Sequence, residues 1–181
     1  MENANLCNHG LELIFGRRSI RVFETKAVSE EAIQKLLEAA MAAPSAAAKD
    51  PWRFVVITRR ALLAELANAL PHGRMLATAP LGIAVCGSLD HAHDRQISYM
   101  LQDCSAAIQN LLLCAHGLAL GACWLGVHPR EDRMASVSRI LNLPSSIVPV
   151  SCVAIGFPAE TKEARTRFNP DYVRYEREPV Q

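Results

Sequence analysis

The sequence predicts one mixed domain of helices and strands, on three observations. Its 181 residues lie in the size range of a single domain and suffice to bury most of the surface that the unfolded chain would expose. Half of them are apolar and a fifth are charged, which is ordinary for a globular chain and too apolar for a disordered one. Segments with the 3.6-residue period of a helix alternate with short β-branched runs, and by the general rule such alternation suggests a parallel, doubly wound sheet.

Each element has its own signal. Leu11, Leu13, Ile14 and Phe15 suggest a first helix ending at Gly16, after which the basic cluster from Arg17 to Arg21 opens a loop. Ser29 followed by Glu30 and Glu31 reads as a helix start. Ile33, Leu36, Leu37, Ala40 and Met41 then fall on one helical face, and Pro44 stops the helix. After the small, turn-forming residues from Ala43 to Pro51, Phe54 to Thr58 read as a buried strand. A helix pattern from Leu62 to Leu70 follows. Pro71, Gly73 and Pro80 punctuate the next stretch, a second strand runs from Leu81 to Cys86, and Ser88 to Asp94 form a polar loop.

Gln96 to Leu120 is predicted as a central helix, because Ile97, Leu101, Cys104, Ile108, Leu111, Ala115 and Leu118 share one stripe. Ala122 to Val127 and Val148 to Phe157 read as two more strands. A helix from Arg133 to Leu141, ended by Pro144, lies between them. Beyond Pro158 the chain carries four arginines and no apolar period. That segment cannot form a core of its own, so it is either a loose tail or an arm laid on a surface that a single compact domain does not provide.

Composition excludes several classes of function. Nineteen basic and eighteen acidic residues leave a formal charge of +1, so nothing in the overall balance draws the protein to nucleic acid or to an anionic membrane. Met1 to Gly10 has neither a basic start nor an apolar stretch, so no signal peptide is read and a cytoplasmic location is expected. The apolar run from Ala106 to Leu125 is broken by Gln109, Asn110, His116 and two glycines, which suits a buried helix plus a strand better than a bilayer span. Cys7, Cys86, Cys104, Cys114, Cys123 and Cys152 form no C-x-x-C pair and are expected to be reduced thiols, mostly in the core. His91, His93 and Asp94 have no further ligands at zinc spacing and read as a polar surface loop, as do Cys7 and His9 near the N-terminus; no metal site is expected.

Two segments carry chemistry. Arg17-Arg18-Ser19-Ile20-Arg21-Val22-Phe23 offers three guanidiniums and a hydroxyl at a helix-to-loop junction, and guanidinium forks match phosphate geometry while remaining charged at any usable pH. Alone, this reads first as a solvated basic loop and is a weak signal. Ala43-Pro44-Ser45-Ala46-Ala47-Ala48-Lys49-Asp50-Pro51-Trp52-Arg53-Phe54 is a loop of small residues leading to a Trp, and small side chains let a flat ligand approach the backbone. Alone, it reads by default as a plain helix-to-strand connection.

Taken in order, the segments resemble the nitroreductase family. R-R-S-x-R-x-F is followed about twenty residues later by A-P-S and P-W-x-F, then by Leu70 to Leu76, Gln102 to Ala107, Gly121 to Val127, Ile155 to Ala159, and Arg165-Thr166-Arg167-Phe168. The resemblance runs from about residue 11 to 175 and is nearest to the short members of that family.

The resemblance implies an α+β fold in place of the parallel sheet: a mixed, largely antiparallel sheet flanked by helices, in one domain whose arm from Ala159 to Gln181 crosses to a partner protomer. It implies an NAD(P)H-dependent oxidoreductase that holds FMN non-covalently at a homodimer interface and reduces a small electron-poor acceptor such as a nitro compound or quinone. Arg17, Arg18, Ser19 and Arg21 match the loop for the FMN phosphate and ribityl chain, and Arg165 and Arg167 match a late pair completing that grip. Pro44, Ser45 and Ala46 match the loop that the partner places against the isoalloxazine. Arg74 matches a basic position near the pyrimidine edge, and Trp124, Leu125 and Gly126 match the strand end facing the ring.

The family loop usually reads P-S-x-x-N-x-Q-P-W, so Ala48 and Asp50 stand where two amides are common. No side-chain nucleophile is needed, because FMN takes a hydride at N5 and passes electrons on, in a ping-pong cycle with NADH or NADPH as donor. Arg74 would then act as an electrostatic stabiliser. The absence of G-x-G-x-x-G suits a nicotinamide that docks only briefly. A specialised flavin enzyme of the same fold, or a flavin-binding redox sensor without turnover, are the alternatives within reach of the same residues.

Overall fold

In the computed structural model, which describes residues 10–176, one four-stranded sheet lies between two layers of helix. The strands are β1 (Trp52–Ile57), β2 (Leu81–Ser88), β3 (Gly121–Gly126) and β4 (Ile147–Gly156), in the order β1-β2-β4-β3. Every ladder is antiparallel. The parallel sheet suggested by alternation alone is thereby corrected, and the α+β class holds. Among the described residues the parallel pairing is one isolated bridge, Ser19 with Ala122.

Helices cover both faces. The described part of α1 spans residues 10–16, followed by α2 (Glu30–Met41), α3 (Arg60–Ala69), α4 (Ile97–Gly117) and α5 (Glu131–Leu141). Ile83 and Val85 of β2 pack with α2 and α4, whereas Ala84 and Cys86, one residue out of phase, pack with the layer of α3 and α5. All eight residues of β2 are buried, and this two-sided burial produces the continuous apolar run in the sequence.

Local chemistry sets the ends of these elements. Ser29 caps α2 by accepting from the Ala32 amide at 3.2 Å, with Glu30 and Glu31 in the first turn. The central helix stops at Gly117 rather than Leu120, because Ala119 takes a left-handed φ of 57° and the Leu120 amide returns to the Ala115 carbonyl at 2.8 Å. Asn142, at φ 50°, closes α5 in the same way. Pro149 has no amide to donate, and the β2–β4 register shifts at the facing residues Val85 and Cys86.

Cys86, Cys104, Cys123 and Cys152 are buried free thiols and Cys114 is half-buried; Cys7 and His9 lie outside the described residues. Among the described residues no helix is long and apolar enough to cross a membrane. The arm from Ala159 to residue 176 has one short 3₁₀ turn, Pro170–Tyr172, and is mostly exposed.

Candidate functional site

The basic cluster is held against the edge of the sheet by its two apolar residues. Ile20 and Phe23 are buried, the Ile20 amide donates to the Ala122 carbonyl at 3.0 Å, and Phe23 bridges Pro158. With these positions fixed, Arg17, Arg18, Ser19 and Arg21 are left to line an open cavity of about 640 Å³. Gly121 permits the close approach: a Cβ there would lie 2.7 Å from two carbons of Ile20.

The start of the arm is tied to this loop. The Arg21 amide donates to Glu160 Oε1 at 2.6 Å, Lys162 Nζ donates to the Ser19 carbonyl at 2.8 Å, and Arg18 donates to the Glu163 carbonyl. These ties bring Arg165 and Arg167, 144 or more positions later in the chain, to the same cavity. The Arg21 amide and then Lys162 hold the Glu160 carboxyl below its ordinary pKa. Lys162 pairs with Glu160 at 2.9 Å. The five arginines have no carboxylate within ion-pair distance among the described residues. Uncompensated guanidiniums converging on one cavity suit a phosphate, which each can grip with two donors. Lys162 was not singled out by the sequence, because a lone lysine three residues before Arg165 has no pattern of its own.

A second cavity, of about 220 Å³, adjoins at Arg21. Its floor is the end of β3, Cys123 to Gly126, and Leu70, Pro71, His72 and Arg133 complete it. Trp124 is 38% exposed and presents an aromatic face, Leu125 is buried beneath, and at Gly126 an added Cβ would meet nothing within 4 Å. This combination leaves room for a flat group over the strand end. Arg74 is exposed on the 3₁₀ turn Arg74–Ala77 and lines neither cavity, whereas His72, which the Leu70 to Leu76 segment contains without a role of its own, and Arg133, which no motif marked, line the second.

Pro44, Ser45 and Ala46 lie elsewhere. The Ala46 amide donates to Asp103 Oδ1 at 2.9 Å, and Asp103, buried on α4, leaves Oδ2 without a partner among the described residues. Ser45 Oγ donates to Asp50 Oδ1 at 2.5 Å and accepts from the Asp50 amide at 3.1 Å, so the carboxylate that replaces an amide closes the loop on itself. Ala47, Ala48 and Asp50 all have φ near +50°, a strained conformation for side chains with a Cβ. His116, at the far end of α4, lines a cavity with Arg17 and Arg18. At about 1.5 Å per residue, Asp103 and His116 are about 20 Å apart along the helix, so this loop does not reach the basic cavity of its own chain.

The surface loop after β2 uses its polar groups internally. His91 shares a hydrogen bond with Ser88 at 2.9 Å, and His93 pairs with Asp94 at 3.4 Å and packs on Tyr99. Among the described residues no three His, Cys, Asp or Glu side chains are grouped as for a metal ion.

Residues 14–73 and 69–157 match the Nitroreductase family. A protein of Methanothermobacter thermautotrophicus, provisionally named NADH dehydrogenase/NAD(P)H nitroreductase, is 42% identical over 92% of this chain and 86% of its own length. A solved structure with the same provisional name, from Bacteroides thetaiotaomicron, is 38% identical with a TM-score of 0.87, covering 94% of this chain and 98% of that one. A provisionally assigned nitroreductase from Desulfovibrio desulfuricans, solved in complex with FMN, is 31% identical with a TM-score of 0.79, covering 93% and 97%. With the matched residues spanning most of the chain and relatives this similar along nearly all of it, the chain belongs to the nitroreductase family.

Proposed function

We propose that the protein is an FMN-dependent oxidoreductase that passes electrons from NADH or NADPH to a small electron-poor acceptor, such as a nitro compound or a quinone. The carrying observation is the cavity in which Arg17, Arg18, Arg21, Arg165 and Arg167 converge with no carboxylate among the described residues paired to any of them. FMN bound there supplies the redox chemistry, taking a hydride at N5 from the nicotinamide and releasing electrons to the acceptor.

The residues supply position and charge. The arginine cavity and Ser19 hold the phosphate and ribityl chain; Arg21, shared by both cavities, marks the passage to the strand end. Trp124, Leu125 and Gly126 carry the ring, and Arg74, exposed on its 3₁₀ turn, is the further cation that the resemblance assigns to the pyrimidine edge. One open side at Gly126 serves donor and acceptor in turn, which makes the cycle ping-pong.

The site is completed in a homodimer. Pro44, Ser45 and Ala46 are anchored at Asp103, about 20 Å along α4 from the His116 that neighbours the basic loop of their own chain, and reach the flavin of the partner instead. Two stretches of exposed apolar side chains support the same assembly: Leu11, Ile14 and Phe15 on α1, and Phe168, Tyr172 and Tyr175 on the arm that crosses over from a single domain. The protein works in the cytoplasm. Ala48 and Asp50 keep open a second reading, a flavin-binding sensor without turnover.

The test is the absorbance spectrum of the purified protein, followed by anaerobic addition of NADH and then NADPH. A yellow protein bleached by either and recoloured by a quinone supports the enzyme; one that stays oxidised supports the sensor. A colourless protein that takes up no FMN overturns both. Parallel double-reciprocal lines check the ping-pong order.

A further inference from the structure

Arg133 stands in the first turn of α5, directly after the strand end, and two of its features are left over by packing. Its Nη1 donates to the Gly126 carbonyl at 3.1 Å, which pins the side chain across the end of β3. Its Nε is buried and has no acceptor among the described residues, so the protein leaves this guanidinium uncompensated. None of the described carboxylates pairs with it. The same side chain lines the cavity floored by Trp124 and Gly126, whose other basic lining groups are Arg21 and His72, with no acid among the described lining residues. A cation held in place by a carbonyl, lining a cavity with no acid among its described residues, fits an acceptor atom that gains electron density.

On the reading that FMN occupies this site, we propose that Arg133 donates to the polar edge of the isoalloxazine and stabilises the negative charge which that edge gains on reduction. Arg21 is exposed and shared with the phosphate cavity, whereas the Arg133 guanidinium is already oriented by the Gly126 carbonyl and needs no rearrangement as charge arrives. The assignment adds a residue of α5 that carries none of the sequence motifs.

Sulfite titration of the FMN-loaded protein tests this without turnover. The sulfur lone pair forms a bond to N5, the displaced electron pair enters the ring, and the negative charge remains on the polar edge while the visible band is lost. In Arg133→Gln and in Arg133→Met the sulfite dissociation constant should rise about tenfold or more. Arg133→Lys should recover part of the affinity. Arg139→Gln, exposed on the same helix, should stay within about twofold of wild type, as expected for a cation remote from the flavin.

Charge-free variants that bind sulfite like wild type overturn the proposal, and so does a loss confined to Arg74→Gln. A protein that takes up no FMN fails the functional reading itself; one that binds FMN but is indifferent to Arg133 fails this inference alone.

Discussion

Replacing Gly121 by Ala should disable the site from beneath, without touching a residue that meets the cofactor. The added Cβ would lie 2.7 Å from Ile20 Cβ and Cγ2, where carbon atoms prefer about 3.5–4.0 Å, so Ile20 must retreat by roughly 1 Å. Ile20 is buried and its amide bonds to Ala122, so the loop from Arg17 to Arg21 moves with it. Overpacking of this kind costs about 1–3 kcal/mol, which for a chain of this size lowers the Tm of the FMN-free protein by roughly 2–12 °C.

The displaced guanidiniums should weaken FMN binding in addition. If the dissociation constant rises about 100-fold, FMN at about 100 times the wild-type constant stabilises the variant by about 0.4 kcal/mol instead of about 2.7 kcal/mol. Thermal melts with and without FMN read the two effects separately, and Gly126→Ala, with open space around its Cβ, should leave the FMN-free Tm within about 1 °C. An unchanged FMN-induced shift in Gly121→Ala would refute the argument that the Ile20 seat positions the basic cavity.

Arg165→Gln or Arg167→Gln should each weaken FMN binding about tenfold, with a smaller salt dependence than wild type, as measured by flavin fluorescence; equal affinity would remove the arm from the site. Ala48→Gly, relieving a φ of 51°, should stabilise the protein by about 1 kcal/mol and raise Tm by a few degrees in calorimetry. Burial pushes the Cys86, Cys104 and Cys152 thiols up to about 12 from an ordinary 9, so the folded state keeps protons that the unfolded state loses. Their stabilisation is intact below pH 9 and falls as pH rises toward 12. Between pH 8 and pH 10 each thiol should withdraw roughly 1–2 kcal/mol, about 4 kcal/mol for the three, which urea melts at the two pH values would measure. The same three thiols should escape alkylation in the native protein at pH 8, as peptide mass spectrometry would show.

The extents of the elements were largely legible in the sequence, because helix and strand periods are local properties. Ser29, Pro44 and Pro144 marked ends that the structure keeps, and the stripe from Ile97 to Ala115 marked α4. Strand direction was not legible from periodicity. The fully apolar run of β2 arises because helices cover both faces, and a strand buried on both faces looks the same in either direction. Only the ordered motif set pointed to the antiparallel sheet.

In the candidate site, Arg17, Arg18, Ser19, Arg21, Arg165 and Arg167 carried a signal, since clustered guanidiniums are unusual enough to notice. Lys162 and Arg133 carried none, and His72 lay within the Leu70 to Leu76 segment without a role of its own. Each is a common residue whose importance depends on where the chain puts it: Lys162 on the Ser19 carbonyl, His72 and Arg133 against the end of β3. The sequence by itself determined which residues are charged, which faces are apolar and where the chain must turn. The tertiary structure alone decided which distant charges share a cavity, that Pro44 to Ala46 stand a helix length away from them, and which buried donor is left without a partner, because convergence in space depends on strand order and packing that no local period encodes.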